Sequence, residues 1–392
     1  MIKMFSLDQL VEELGEGKVI KIAAGEYIFR LDSYPRNPVV SPQDIDLIWY
    51  EKGKLHTGAV FNGGATIFQN KIMLAPRCHK GYRRVKYFDQ KLCIERYRLE
   101  NYIAEVWLLM SGDGVHFKRY HNVVIKGDGT YHQDFIYGIE DIRIVKHNQL
   151  YLLVGCGKIK PPFKGGNADR IAIYSTNDFI NITYHGMVAC FDSRNAVPFF
   201  NNNKQYILLR FHPHIHLAIL KAGIDQLLNP SKYVKYWYEI YAQRDKNLLL
   251  GVGKYSHEKE KIGPSTPLIK TDIGWLLIYH GVGELGINIC KEYGLTEPIK
   301  RGYSICAAIL DFDNPQKVIC RTSSPIYIPS KPYELNGNEQ YPVDVPAVVF
   351  PVGAITLKDK LLIYCGAGDK YSILLSCNLN KLVDYLCKYC RI

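Results

Sequence analysis

The chain has 392 residues, 47% of them hydrophobic, and a formal net charge of +11, so it can bury one large core or two ordinary ones. No window approaches the ~18 unbroken apolar residues of a membrane span, and Met1–Gly25 carries Glu and Asp and lacks the compact apolar segment and cleavage site of a leader. Lys and Arg are dispersed and form no nucleic-acid motif, so the expectation is a cytoplasmic protein with neither a membrane nor a nucleic-acid partner, whose positive balance suits an anionic small substrate. The eleven cysteines are odd in number and scattered, with only Cys387 and Cys390 close together, which predicts reduced thiols rather than a disulfide framework.

Residues 1–30 read as an N-terminal extension, helical over Leu7–Leu14 and ending in a strand near Arg30. Residues 31–392 read as a single domain. From Arg36-Asn37-Pro38 onward, short apolar or alternating segments are separated by Gly, Asn, Asp and Pro, the punctuation of an all-β protein. A polar or turn residue followed by a buried strand recurs at Asn70–Arg77, Asn148–Gly155, Lys204–Arg210, Gly274–His280 and Lys360–Gly366, at intervals of about 55 to 85 residues. A second echo relates Trp107–Gly114 to Ile171–Asp178. Periods of this size with about four strands each fit the blades of a five-bladed β-propeller with short, partly helical terminal extensions. A two-domain β protein is the alternative that the pattern alone leaves open.

Charged or polar residues stand at or just past the ends of the recurring strands: Arg77, Lys158, Arg210, His280 and Asp369. In a propeller those ends converge on one funnel. Within Tyr137–Ile144, two acids and an arginine interrupt an apolar run. Strand alternation would put Asp141 and Arg143 on one face and Glu140 and Ile142 on the other. Taken alone, this stretch also fits a buried ion-pair cluster. His212, His214 and His216 share one face of a strand, but no carboxylate accompanies them, and a metal site is not expected. Gly63-Gly64 and Gly165-Gly166 lack the strand–helix context of a nucleotide loop and read as turns.

Ordered landmarks carry a resemblance over Arg36–Asp369. They are Val60-Phe61-Asn62-Gly63 with Arg77 and Arg83 downstream, Gly138-Ile-Glu-Asp141 with Arg143, Lys261-Ile-Gly-Pro264, Gly274–Gly281, Tyr303 before Ala307–Asp311, and Tyr364–Asp369. Together they resemble glycoside hydrolase family 130, the β-mannoside phosphorylases and related β-mannosidases built on a five-bladed propeller. The chain departs from that pattern at Ile142, where the family usually has proline after the catalytic aspartate, and at Gly63.

The resemblance implies that Asp141 is the general acid, acting partly through the mannose 3-hydroxyl. It implies that Asn62, Arg77, Arg83 and Asp369 hold the mannosyl ring, and that Arg194, Asn195, Arg210, Lys261, His280 and Tyr303 hold phosphate. Physical chemistry runs the same way. An inverting hydrolase needs a second carboxylate to activate water, with the two carboxyls ~6.5–9.5 Å apart, whereas phosphate is already an anion and needs cations and donors to orient it.

The expected activity is inverting phosphorolysis of β-mannosides, most simply β-1,2-mannobiose or β-1,2-oligomannan, to α-mannose 1-phosphate. No metal or organic cofactor is expected; the partners are oligosaccharide and phosphate, and a homo-oligomer is left open. The rival readings are hydrolysis on the same fold, phosphorolysis of β-1,4-mannosyl-glucose or β-1,4-mannosyl-N-acetylglucosamine, and a non-catalytic sugar-binding propeller. Trp49, Tyr82 and Tyr87 are aromatic candidates for sugar stacking.

Overall fold

The computed structural model describes residues 6–23, 25–90, 92–127, 135–159, 169–201 and 204–392. Five antiparallel sheets form the blades of a propeller. Blade 1 comprises Ala59–Phe68, Lys71–His79, Glu105–Ser111 and Lys118–Ile125; blade 2 comprises Ile139–His147, Leu150–Lys158, Asp169–Thr176 and Thr183–Val188. Blade 3 comprises Arg194–Asn201, Lys204–Phe211, His214–Ile219 and Leu248–Leu250. Blade 4 is built on Lys261–Pro264, Trp275–Leu285, Ile299–Leu310 and Val318–Arg321, and blade 5 on Val349–Leu357, Lys360–Ala367 and Tyr371–Asn378. The outermost strand of blade 5 is Asp32–Ser33, from the opposite end of the chain. This pairing ties the two ends of the domain together and closes the ring.

The five recurring apolar segments are the second strands of the five blades. Each such strand is buried on both faces, which explains its unbroken apolar run. Leu361, Ile363 and Cys365 pack towards Leu276, Ile278 and Ile305 of blade 4, while their alternating neighbours Leu362 and Tyr364 pack towards Ile72 and Leu74 of blade 1. Similar apolar layers join blades 1 and 2 (Met73 with Leu153), 2 and 3 (Leu152 with Leu209), and 3 and 4 (Leu208 with Leu277). A sheet with two buried faces loses the apolar–polar alternation of a half-exposed one. At ~2 kcal/mol for each fully buried Leu or Ile, these layers dominate the fold's stabilisation.

The leading helix, Leu7–Glu13, starts at a capping box in which Ser6 and Gln9 bond reciprocally, satisfying amide groups that a helix start leaves open. Its Leu10, with Leu14 just past its end, joins the layer between blades 5 and 1. A closing helix, Leu379–Tyr389, is capped by Asn378 and packs Leu382 and Leu386 onto blades 4 and 5. Helices at Ile224–Leu228 and Val234–Ala242, which the sequence pattern did not announce, link the outer strands of blade 3. Three hairpins stand outside the blades among the described residues, Lys18–Lys21 with Tyr27–Arg30, Ile48–Glu51 with Lys54–Thr57 and Arg83–Asp89 with Ile94–Glu100. All eleven cysteines are free. Among the described residues no helix is long and apolar enough to cross a membrane.

Candidate active site

The innermost strands touch in turn from blade 5 through blades 1, 2 and 3 to blade 4, and three of them are broken at matching places. The register slips between Phe61 and Gly64, between Glu140 and Arg143, and between Arg194 and Val197. Within these slips Asn62, Asp141 and Asn195 take left-handed backbone angles, φ 54, 53 and 59°. Asn and Asp tolerate that conformation better than other side-chain-bearing residues. A bulge of this kind sets two residues against one and re-aims side chains.

The bulge corrects the alternation expected for Tyr137–Ile144. Glu140 and Asp141 both reach the same guanidinium: Arg77 Nη1 lies 2.9 Å from Glu140 Oε2 and 3.7 Å from Asp141 Oδ1. Ile142 turns into the apolar layer between blades 1 and 2. Its carbonyl oxygen would stand 2.2 Å from a β-carbon at position 64, so Gly64 is what lets blades 1 and 2 approach. Gly63-Gly64 is thus part of an inner strand rather than a turn. Gly165-Gly166 lies outside the described residues.

Asp141 is buried. Its Oδ1 accepts from Asn62 Nδ2 at 2.9 Å, and its main-chain oxygen accepts from Arg143 Nη1 at 2.6 Å. Arg143 also donates from Nε to the Ser265 carbonyl at 2.9 Å, bracing blade 2 against the chain that follows the inner strand of blade 4. Glu140 is ringed by Arg77, Lys158 and Arg194. Burial alone would raise its pKa, but Lys158, Arg77 and Arg194 outweigh this and hold the carboxyl well below the usual range. Lys158 and Arg194 share a second acid, Asp169, with Arg194 Nε 3.3 Å from its Oδ2.

Asp369 occupies the turn after the second strand of blade 5, with φ 49°. Burial and the nearby carboxylates of Asp141, Asp344 and Glu140 push its pKa up to about 6 against the pull of Arg77. Asp141 thus shares this side of the site with a second titratable acid.

On the other side of the axis, buried polar atoms lack hydrogen-bond partners among the described residues: both side-chain amide atoms of Asn195, Nε of Arg210 and Nε2 of His280. Arg194 and Arg210 face one another across two strands of blade 3. His280 Nδ1 is 3.0 Å from Ser265 Oγ, and burial together with Arg210, Lys261, Arg143 and Arg194 keeps its ring neutral. A β-carbon on residue 263 would meet the His280 ring at 2.5 Å and Arg210 Cδ at 3.1 Å, so Gly263 is required for their approach. Burial lowers the pKa of Lys261, with Arg210 adding to the effect against Tyr303. The Lys261 ammonium stands 5.1 Å from the centre of the Tyr303 ring. Unpaired buried donors are rare unless something else occupies their bonds. Here they stand amid the positive charge of Arg210, Lys261, Arg143 and Arg194, which suits an anion.

Residues 32–388 match glycoside hydrolase family 130, described as β-1,4-mannooligosaccharide phosphorylase. The chain belongs to this family. It is 27% identical over 350 residues to a β-1,2-mannobiose phosphorylase of Thermoanaerobacter sp. strain X514, spanning 88% of this chain and 96% of that one. A 1,2-β-oligomannan phosphorylase of the same strain is 27% identical over 272 residues, 68% of this chain and 76% of the relative. The solved β-1,2-mannobiose phosphorylase of Listeria innocua in complex with β-1,2-mannobiose superposes with a TM-score of 0.63 at 22% identity, over 91% of this chain and 99% of that one. This likeness carries the propeller fold.

Within the family 130 frame, the structure gathers Asn62, Arg77, Asp141 and Asp369 on one side, and Arg194, Asn195, Arg210, Lys261, His280 and Tyr303 on the other. Arg83 is not gathered with them. Its side chain is 74% exposed and pairs with Glu100 at 3.0 Å on the hairpin outside blade 1.

Three residues absent from the landmarks join the site instead. Tyr102 hydrogen-bonds to Glu140. Tyr82, one of the expected stacking aromatics, donates to Asp344. His79 is buried against Phe61, Tyr82 and Tyr102, with ring centres 5.4, 4.4 and 4.6 Å away, and neither of its ring nitrogens has a hydrogen-bond partner among the described residues. Its position two residues after Arg77 on the same strand was a legible signal, because strand neighbours two apart share a face. Trp49 instead stacks on His56 across its own hairpin, and Tyr87 lies on the outer hairpin.

In the His212–His216 run, one imidazole nitrogen is already committed. His214 Nδ1 accepts from the Val252 amide at 3.1 Å, and burial and His214 push His216 down to about 4. Among the described residues, His257, Glu258 and Cys306 offer ligand atoms within 4.8 Å of one another. Glu258, however, is already committed to Arg321 and to Tyr279 Oη, the latter at 2.6 Å.

Proposed function

We propose that this protein is an inverting β-mannoside phosphorylase acting on β-1,2-linked mannobiose or oligomannan. The observation that carries the reading is the division of the site. Buried Asp141 with Asn62 and Arg77 lies on one side, and Arg210 and Lys261 with the open polar atoms of Asn195 and His280 lie on the other. A phosphate ion would complete the bonds that Asn195, Arg210 and His280 leave open, while such a pocket would be costly to maintain for a neutral water molecule.

In this reading Asn62, Arg77, Asp369 and His79 hold the mannosyl ring against the protein, with the His79 nitrogens meeting sugar hydroxyls. Asp141 supplies the proton that the leaving oxygen needs, by way of the sugar's 3-hydroxyl. Arg210, Lys261, His280, Asn195 and Tyr303, with Arg194 behind them, orient phosphate in line with the anomeric carbon. The products are α-mannose 1-phosphate and an acceptor shortened by one mannose, and no metal or organic cofactor takes part. The β-1,2 preference rests on the two Thermoanaerobacter relatives.

The test is mannoside cleavage with and without inorganic phosphate, with the products identified. Turnover of β-1,2-mannobiose should require phosphate and give the sugar phosphate. Equal cleavage in phosphate-free buffer with release of free mannose would replace phosphorolysis by hydrolysis.

A further inference from the structure

Arg301 has no place among the landmarks, yet it is one of the most firmly held cations beside the anion-binding side. Its Nε and Nη2 donate to the two carboxylate oxygens of Glu260 at 2.6 and 2.7 Å, a paired geometry that fixes the plane of the guanidinium. So held, its Cζ lies 5.3 Å from the centre of the Tyr303 ring, and Lys261 stands 5.1 Å from the same ring. The phenol is thus set between two cations.

Of the other described groups around Tyr303, those in contact with it are cationic, neutral or apolar. Arg210 acts on it from blade 3, the neutral His280 ring stacks 6.2 Å away, and Phe350 closes an apolar side at 6.2 Å. Glu260 is occupied by Arg301. A phenol held between two cations is favoured in its ionised form. Burial raises the phenol's pKa, but Lys261 and Arg301 overcome it and bring the group down to about 7.

We propose that Tyr303, held between Lys261 and Arg301, is the proton acceptor for the phosphate nucleophile. This rests on the phosphorylase reading. Phosphate enters as the monoanion and gives one proton to the Tyr303 phenolate oxygen, becoming the dianion. The negative charge then passes from the tyrosine to the phosphate, so the pocket's net charge does not change in that step. An oxygen of the dianion forms the bond to the anomeric carbon as the glycosidic bond breaks, and that bond's electron pair goes to the leaving oxygen, which receives the proton supplied by Asp141. The sugar phosphate departs with its remaining proton, Tyr303 releases its proton to solvent, and Asp141 regains one. Arg301 is a positioning residue here, since it acts through Tyr303.

The experiment follows tyrosinate absorbance in the near ultraviolet as the pH is raised through neutrality, in wild type, Tyr303→Phe and Arg301→Gln, with phosphate binding measured by calorimetry. Wild type should show a tyrosine that ionises near neutrality, and inorganic phosphate should bleach its signal. Tyr303→Phe should lack the signal and still bind phosphate, while its kcat for phosphorolysis falls about 100-fold, within the usual range for a lost acid–base group. Arg301→Gln should move the ionisation to higher pH. Phosphate binding that leaves the tyrosinate signal intact, or the absence of any tyrosine ionising near neutrality, would overturn the inference while the phosphorylase reading stands. A wild-type protein that binds no phosphate would overturn both.

Discussion

The two halves of the site are built on opposite electrostatic plans. On the side of blades 1, 2 and 5, the charges are neutralised within the protein: Glu140 is matched to Arg77, Lys158 and Arg194, and Asp141 is held by Asn62 and Arg77. On the side of blades 3 and 4, Arg210 and His280 keep buried donor atoms unpaired among the described residues, as Arg77 Nε and the His79 ring do on the first side, but here beside an excess of cations. A paired network is rigid and holds a neutral sugar in one orientation. An unpaired set of donors is unstable alone and favourable only with its anion in place. On the proposed reading, the charge-matched half takes the uncharged sugar and the half holding Arg210 and His280 takes the anion.

The sharpest way to break this comparison is to remove the acid alone. Asp141→Asn should lower phosphorolysis by ~10²–10⁴-fold while phosphate binding measured by calorimetry is retained. Loss of phosphate binding in this variant would show that the halves are not separate.

Next in size, Glu140→Gln leaves Arg77, Lys158 and Arg194 short of their shared counter-charge. Breaking a buried network in this way should cost about 3 kcal/mol of stability, read from chemical denaturation. An unchanged midpoint would mean that Asp169 alone suffices.

The smallest effect concerns Asp369. Its folded-state pKa of about 6 lies above its ordinary value of 3.8, so the folded protein binds the extra proton and stability falls as pH rises through that window. Asp369→Asn should therefore melt at a higher temperature than wild type above pH ~6, with the gap closing as pH falls towards ~4. The effect is modest because the residue is partly exposed. A gap that widens on acidification would reverse the assignment.

Much of this was legible in the chain. The second strand of every blade was visible because two buried faces demand an unbroken apolar run, and the polar residues at the ends of those runs were visible as interruptions. The helices after blade 3 were not, because Ile224–Leu228 and Val234–Ala242 are short and sit among connecting segments. Nor were the bulges, although a signal was present: Asn62, Asp141 and Asn195 each stand nine residues before the start of their blade's second strand. Arg83 was placed with the sugar-binding residues by its order in the chain, but the hairpin that carries it directs it to solvent.

By itself, then, the sequence determined the five-fold strand pattern, the residue types at the strand ends and the family, because these follow from local burial and from spacing along the chain. Only the tertiary structure decided which charges meet. Glu140 finds Arg194 across 54 residues and Asp141 finds Asn62 across 79, and those encounters depend on ring closure. They depend equally on the left-handed bulge at Asp141, which overrides strand alternation and turns two adjacent acids towards the same arginine.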